Sequence, residues 1–299
     1  MVYFLLTLFI FSSMEVVSKP LMDTIDPYAL TFWRFTAGAL FFFFYPGTKK
    51  RFLEIRSLSK KDWLAVSMLG FLNTFLAMSF LQVAVKYSSA STAATIFCSN
   101  PGFVFIFAVI LGYEKFSLKK VVGFFIGITG IFIIMQGENF VAGTGVVFAV
   151  FSAIAFASYT LLSKKMVSKI QPLTLNMVAF PLGLAASGIF IALSGKKLSL
   201  PLEFFGVPEN IIAFFYLGFV VTGIGYVTFF ETIKRFSAVS ASLIFMLKPA
   251  VTTLMAFVLL YEKPEHGFYI GLLSISLGTL LIVWEKLIKL PFFLLLNNK

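Results

Sequence analysis

Ten long apolar runs, each bounded by charged or turn-forming residues, leave this chain little choice but a bundle of membrane helices. A helix rising about 1.5 Å per residue needs roughly 20 apolar residues to cross about 30 Å of hydrocarbon. Runs of that length lie at 2–22, 27–45, 62–83, 88–111, 116–135, 143–163, 172–194, 207–230, 236–260 and 266–290. The chain is 59% hydrophobic and only 12% charged, whereas soluble domains carry about 25% charged residues. A water-soluble globule is excluded. The connections are mostly short, so consecutive helices are expected to be antiparallel neighbours.

The net charge of +11 does not point to nucleic acid, because the basic residues sit in short clusters between apolar runs, as in the cytoplasmic loops of membrane proteins. Seventeen of them, including Lys49–Arg51, Lys60–Lys61, Lys119–Lys120, Lys164–Lys165 and Lys234–Arg235, share a side with both termini. The other side receives five: Lys19, Lys86, Lys196, Lys197 and Lys263. The positive-inside rule then puts both termini in the cytoplasm of a multi-pass protein of the cell's inner (plasma) membrane, which requires an even number of spans. The first run has no basic n-region and is expected to be retained rather than cleaved. A single cysteine, Cys98, and a single histidine, His266, give no disulfide, no metal site and no cofactor site.

The chain is also written twice. At an offset of 145, Ser18, Lys19, Ile25, Pro27, Leu30 and Phe35 recur as Ser163, Lys164, Ile170, Pro172, Leu175 and Phe180. At an offset of 148, Lys86, Ile96, Phe97, Pro101, Tyr113, Glu114 and Lys115 recur as Lys234, Ile244, Phe245, Pro249, Tyr261, Glu262 and Lys263. The expected domains are therefore 1–141 and 142–299, each with five helices. Five is odd, so the second copy enters the membrane from the opposite side. Such inverted repeats underlie alternating access, because two similar halves of opposite orientation have inward-open and outward-open arrangements of similar energy.

These residues resemble the EamA-type family of the drug/metabolite transporter superfamily. The resemblance rests on Arg34-Phe35, on Asn100-Pro101 followed by Leu111-Gly112-Tyr113-Glu114-Lys115, on the glycine-spaced fifth run, and on Lys248-Pro249 followed by Leu259-Leu260-Tyr261-Glu262-Lys263. It implies an all-α integral membrane carrier of ten helices in two inverted five-helix repeats around a central cavity, often an exporter of amino acids or related metabolites.

A charged side chain at the helix centre costs about 2.5–3.5 kcal/mol on insertion scales, so each one needs a partner or a wet cavity. Lys248 falls at the centre of the ninth run. Arg34 lies about 3 Å, and Glu15 about 4–5 Å, to the outer side of their own centres. Asn73, Asn100, Ser12 and Ser13 fall within about one residue of midspan. Two cations against one carboxylate leave a positive surplus suited to a carboxylate metabolite, and a Lys19–Glu15 pair at the i, i+4 spacing would enlarge it. Lys248, Arg34, Asn100, Asn73, Ser12 and Ser13 are thus candidate substrate contacts. Tyr159 and Tyr226, counted about 9–11 Å toward the cytoplasm, line the inner pathway or belong to the aromatic belt.

Each candidate has a plainer reading. Arg34 can be a structural anchor bridged to Glu15, and the asparagines can be interhelical glue. Pro101 and Pro249 each free the carbonyl four residues back, at Phe97 and Phe245, making them candidate hinges. Glu15 is the one carboxylate expected deep in a span and so the candidate proton carrier, although an ion pair with Arg34 opposes protonation. Gly123, Gly127 and Gly130, echoed by Gly271, Ser274 and Gly278, allow close helix approach, within the bundle by preference or across a homodimer. Glu114 and Glu262 are expected to cap or brace neighbouring helices.

The sequence holds no serine–histidine pair, metal motif or Walker A pattern, so an enzyme or a nucleotide-driven pump is not expected. The function expected is a secondary transporter that moves a small polar or anionic, amino-acid-like metabolite by alternating access. The alternative is a non-transporting receptor or assembly subunit whose polar core is structural.

Overall fold

A computed structural model describes residues 2–136, 140–236 and 238–288. The side chains of Lys49, Lys164, Lys234 and Arg235, and the end of the tenth run at 289–290, lie outside the described residues. The elements are α1 (Val2–Ser18), α2 (Pro27–Phe44), α3 (Thr48–Arg56), α4 (Lys60–Gly70), a π-helical stretch (Phe71–Ala77), α5 (Met78–Tyr87), α6 (Ala90–Phe97), α7 (Asn100–Ile110), α8 (Leu118–Gln136), α9 (Phe140–Val167), α10 (Pro172–Leu193), α11 (Leu202–Phe205), α12 (Pro208–Phe215), a second π-helical stretch (Tyr216–Ile224), α13 (Gly225–Phe236), α14 (Ala238–Leu259) and α15 (His266–Ile288).

Helix overlies every apolar run, and among the described residues seven helices are long and apolar enough to cross a membrane. The 27–45 run falls short of that standard, since α2 is 18 residues long and carries Arg34; the 236–260 and 266–290 runs are described without interruption only over the shorter apolar stretches Leu247–Leu259 and His266–Ile282. The protein is an all-α, multi-pass membrane protein. Large apolar side chains such as Phe44, Ile110, Phe125, Phe132, Ile189 and Leu254 stand exposed on its outside, an arrangement suited to lipid rather than water.

Local chemistry starts and stops the helices. Asp26 accepts from the Tyr28 backbone N–H at 2.9 Å, with Pro27 at the first turn of α2. Ser59 and Asp62 form a reciprocal capping box at α4. Ser89 caps α6 through the Thr92 N–H at 2.9 Å. The two π-helical stretches begin at Phe71 and Tyr216, matching places in the two sequence copies. Such stretches are rare and frequent at functional sites.

The lateral arrangement corrects one expectation. Consecutive helices are not each other's main partners: α1 lies along α13 and α14, while α2 lies against α10 and the second π-helical stretch. Each copy therefore packs its first two helices into the other. Phe35 and Phe42 of α2 meet Phe180 of α10 edge to face at 4.7 and 5.7 Å, and Phe180 meets Tyr226 of α13 at 5.3 Å. These rings are a core between the copies, so not all the phenylalanines serve the lipid face.

The small-residue stripes of α8 and α15 pack on each other within one chain. The homodimer face they offered is used up internally. A Cβ added at Gly130 would stand 2.7 Å from the Gly271 carbonyl oxygen and 2.9 Å from Ser274 Cβ, whereas one at Gly127 meets nothing within 4 Å. Gly130→Leu should force the pair apart and cost about 1–3 kcal/mol, lowering the thermal unfolding midpoint in detergent. Gly127→Ala should leave that midpoint nearly unchanged.

Candidate functional site

The polar residues of the midspan layer do come together, with partners that differ from those expected. Lys248 of α14 donates to Glu15 Oε1 of α1 at 2.5 Å, and the two side chains are 3% and 0% exposed. The same ammonium lies 5.1 Å from the centroid of the Phe97 ring. Beside the pair, Thr252 Oγ1 donates to the Ser12 carbonyl at 3.0 Å, a second polar stitch between α1 and α14. Equal depth had joined Glu15 to Arg34, but depth does not decide lateral contact, and α1 runs along α14. The lysine expected to meet substrate is therefore already neutralised.

Lys19, the other proposed partner of Glu15, sends its ammonium to the carbonyls of Val85 and Ser88 at 2.8 and 2.7 Å, at the end of α5. A helix C-terminus exposes unpaired carbonyls and favours a cation.

Arg34 is 2% exposed, and its Nε and Nη1 have no hydrogen-bond partner among the described residues. Its guanidinium lies 4.9 Å from the Phe35 ring centroid, within the electrostatic reach of Tyr226 and Glu15. Asn73, in the first π-helical stretch, donates to Tyr226 Oη at 3.3 Å, while its own carbonyl oxygen is unpartnered. The second π-helical stretch contributes Tyr216, whose hydroxyl shares a hydrogen bond with Ser13 Oγ at 2.7 Å. Glu15 Oε2 and Ser12 Oγ are likewise buried and unpartnered.

Tyr226 thus joins the central layer, and Tyr159 sits beside it, buried and 3.4 Å from Asn176 Oδ1. Tyr226 therefore faces the layer rather than an interfacial belt, while Tyr159 is buried beside the first turns of α10. Helical side chains lean toward the N-terminus of their helix, which for Tyr226 is back toward midspan, so a count of Cα positions alone places its hydroxyl too far out.

The two prolines behave differently. Pro101 breaks its span into α6 and α7, and Asn100 Nδ2 donates at 3.0 Å to the Phe97 carbonyl that the proline leaves free. Asn100 therefore mends the backbone with one of its two amide N–H donors. Pro249 sits inside continuous α14. Tyr216, Thr252, Asn176 and Gln82 are absent from the sequence-derived set. Gln82 is fully buried with neither amide atom partnered, and an amide inside the third apolar run was the available signal.

Among the described residues the layer is closed to solvent: Ser12, Glu15, Arg34, Asn73, Asn100 and Lys248 are all below 5% exposed. A pocket lined by Ser99, Phe124, Gly127 and Thr279 lies between α7, α8 and α15, away from the ion pair. Polar contacts between the copies close both ends of the bundle. At one end Glu262 accepts from the Ala90 N–H, the Ser91 N–H and Ser91 Oγ, and Lys196 pairs with Asp26 at 2.9 Å. At the other, Lys169 pairs with Asp62, and Glu54 accepts from Thr174 Oγ1 and the Gln171 N–H.

Removing one member of a buried ion pair leaves an uncompensated charge and typically costs about 3–5 kcal/mol. Lys248→Ala should therefore lower stability sharply instead of leaving a well-folded protein. Glu15→Gln combined with Lys248→Met should recover most of the loss, as read by thermal unfolding of the two single variants and the double.

The chain matches the EamA-like transporter family over residues 1–136 and 143–284. It is 30% identical over 291 residues to an uncharacterized transporter of Clostridium kluyveri, covering 94% of this chain and 91% of that protein. It is 27% identical over 271 residues to an uncharacterized transporter of Archaeoglobus fulgidus, covering 89% and 91%. A WAT1-related protein of Arabidopsis thaliana is 22% identical over 93% of this chain and 87% of its own. A solved crystal structure shares the fold with a TM-score of 0.65 at 17% identity, over 96% of this chain and 98% of that one. With so much of its length matched, the chain belongs to the EamA-like transporter family and is a multi-pass membrane transporter, not an enzyme.

Proposed function

We propose that this transporter is a secondary carrier that moves a small anionic or zwitterionic, amino-acid-like metabolite out of the cell by alternating access. The observation that carries the reading is Arg34: a guanidinium sealed in the bundle, with two nitrogens unpartnered and an aromatic wall around it. Burying a cation without hydrogen bonds is costly, and a substrate carboxylate would supply the missing acceptors. Asn73, Ser12 and the Ser13–Tyr216 pair offer further hydrogen bonds, with Tyr159 and Tyr226 closing the aromatic side. Lys248 joins only when Glu15 releases it. Glu15 is the proton-coupling candidate, since neutralising it would free that lysine.

The carrier has ten spans in two inverted repeats, 1–141 and 142–299, with both termini in the cytoplasm of the plasma membrane. Several observations support this. The family matches twice, once in each copy. The π-helical stretches recur at matching places. The polar contacts join only loops that the topology puts on one side: Asp26 with Lys196 and Ala90 with Glu262 outside, Asp62 with Lys169 inside. The buried layer and the closed ends correspond to an occluded state, with Pro101 and Pro249 as the points about which it opens.

A ligand at ten times its dissociation constant adds about 1.4 kcal/mol to native stability. In a thermal-shift panel of amino acids, organic acids and nucleotide-like metabolites, at least one carboxylate compound should stabilise the wild type and fail to stabilise Arg34→Gln. Equal stabilisation of both proteins would remove Arg34 from the site. No stabilisation by any compound would favour a purely structural layer.

A further inference from the structure

Glu262 ties the outer end of α14 to the start of α6, whose Phe97 ring lies 5.1 Å from the Lys248 ammonium. It follows α14, which bears Lys248, and its carboxylate takes the first two backbone N–H groups of α6: Oε1 accepts from Ala90 at 2.8 Å, and Oε2 accepts from Ser91 N at 3.2 Å and Ser91 Oγ at 2.8 Å. Those amides are the positive end of a helix and have no intrahelical acceptor, so a carboxylate there is held by both hydrogen bonds and the helix dipole. The chain is turned for this contact at Tyr261, whose φ of 56° is the one left-handed non-glycine value among the described residues. A bulky residue in that region is strained and persists where surrounding contacts enforce it. The adjacent α5 end is gripped oppositely, its carbonyls by the Lys19 ammonium. The Asp26–Lys196 pair on the same side is part-exposed and correspondingly weak.

We propose that Glu262 is the outer gate latch of the transport cycle, a positioning residue whose release from α6 lets the outer ends of α6 and α14 separate and admits water to the central layer. The proposal rests on the alternating-access reading above. It assigns a task to an acidic residue remote from the substrate, and it makes the tight cap on α6 a contact that must break once per cycle.

The chain provides its own reporter. Cys98 is its single cysteine, lies at the end of α6 and is 1% exposed. Labelling by a membrane-impermeant maleimide should be slow in wild-type protein in sealed vesicles. Glu262→Ala removes all three bonds and should speed labelling from the outside by more than about tenfold, the scale of losing a single charged hydrogen bond, with no change from the cytoplasmic side in inverted vesicles. Glu262→Gln should fall between. Glu265→Ala, an exposed acid in the same loop, should behave as wild type. Should Glu262→Ala not fold, Ser91→Ala removes one of the bonds and should give a smaller increase on the outer side alone.

Unchanged labelling in folded Glu262→Ala overturns the latch, and equal acceleration from both sides overturns it too, since that marks general loosening. Transport assays on the same vesicles separate this from the carrier reading. One-sided labelling in protein that moves no substrate leaves the latch and removes the carrier, while substrate movement with unchanged labelling does the reverse.

Discussion

Hydrocarbon has no water to solvate charge, so the bundle can close only if the cations and carboxylates within it find one another. The pair formed by Glu15 and Lys248 meets that requirement with residues 233 positions apart, and the rest of the arrangement follows from it. To bring them together, α1 must leave its own copy and run along α14, where the Thr252 contact to the Ser12 carbonyl adds a second stitch. With α1 committed there, α2 turns its face to α10, and Phe35 and Phe42 build an aromatic core with Phe180 of the other copy. A buried ion pair contributes little net stability, but this one joins the two copies at a single buried point.

The same pairing defines which polar groups of the layer are left unmatched. Lys248 and Glu15 cancel, so among the described residues the buried groups left unmatched are Arg34 Nε and Nη1 together with atoms on Ser12, Asn73 and Glu15. A site of this kind is closed by polar contacts at helix ends rather than by its own contents. Glu262 on α6 at one end, and Asp62 with Lys169 at the other, are charged groups near the membrane surface. Water can compete for them when a helix shifts, whereas the apolar flanks of the bundle gain nothing by opening. The π-helical stretches add to this: each supplies a side chain to the layer, Asn73 from one and Tyr216 from the other.

Much of the buried polar layer was legible in the sequence because depth is. An ionisable residue in the middle of an apolar run must lie deep in the membrane, and Glu15, Arg34, Asn73 and Lys248 are all buried near the layer. What depth could not supply was direction around the helix axis. Glu15 was matched to Arg34 by height and met Lys248 instead. Tyr226 was counted toward the interface because the lean of its ring was ignored. Asn100 was read as a ligand contact or as interhelical glue, and one of its amide N–H groups serves the Phe97 carbonyl within its own span, which Pro101 strands. Glu262 was legible as a helix brace, but the helix it braces belongs to the other copy.

Apolar run length, charge clusters and internal repetition are properties of consecutive residues, so the sequence alone determined that this is a membrane-embedded helical protein built from two related copies, and which polar residues lie deep. Partner choice, the closure of both ends and the isolation of Arg34 were decided only by the tertiary structure. They depend on which helix faces lie side by side, and in a bilayer nearly every face is apolar. Lateral packing is then selected by a few interhelical polar contacts and close glycine approaches between residues far apart in the chain.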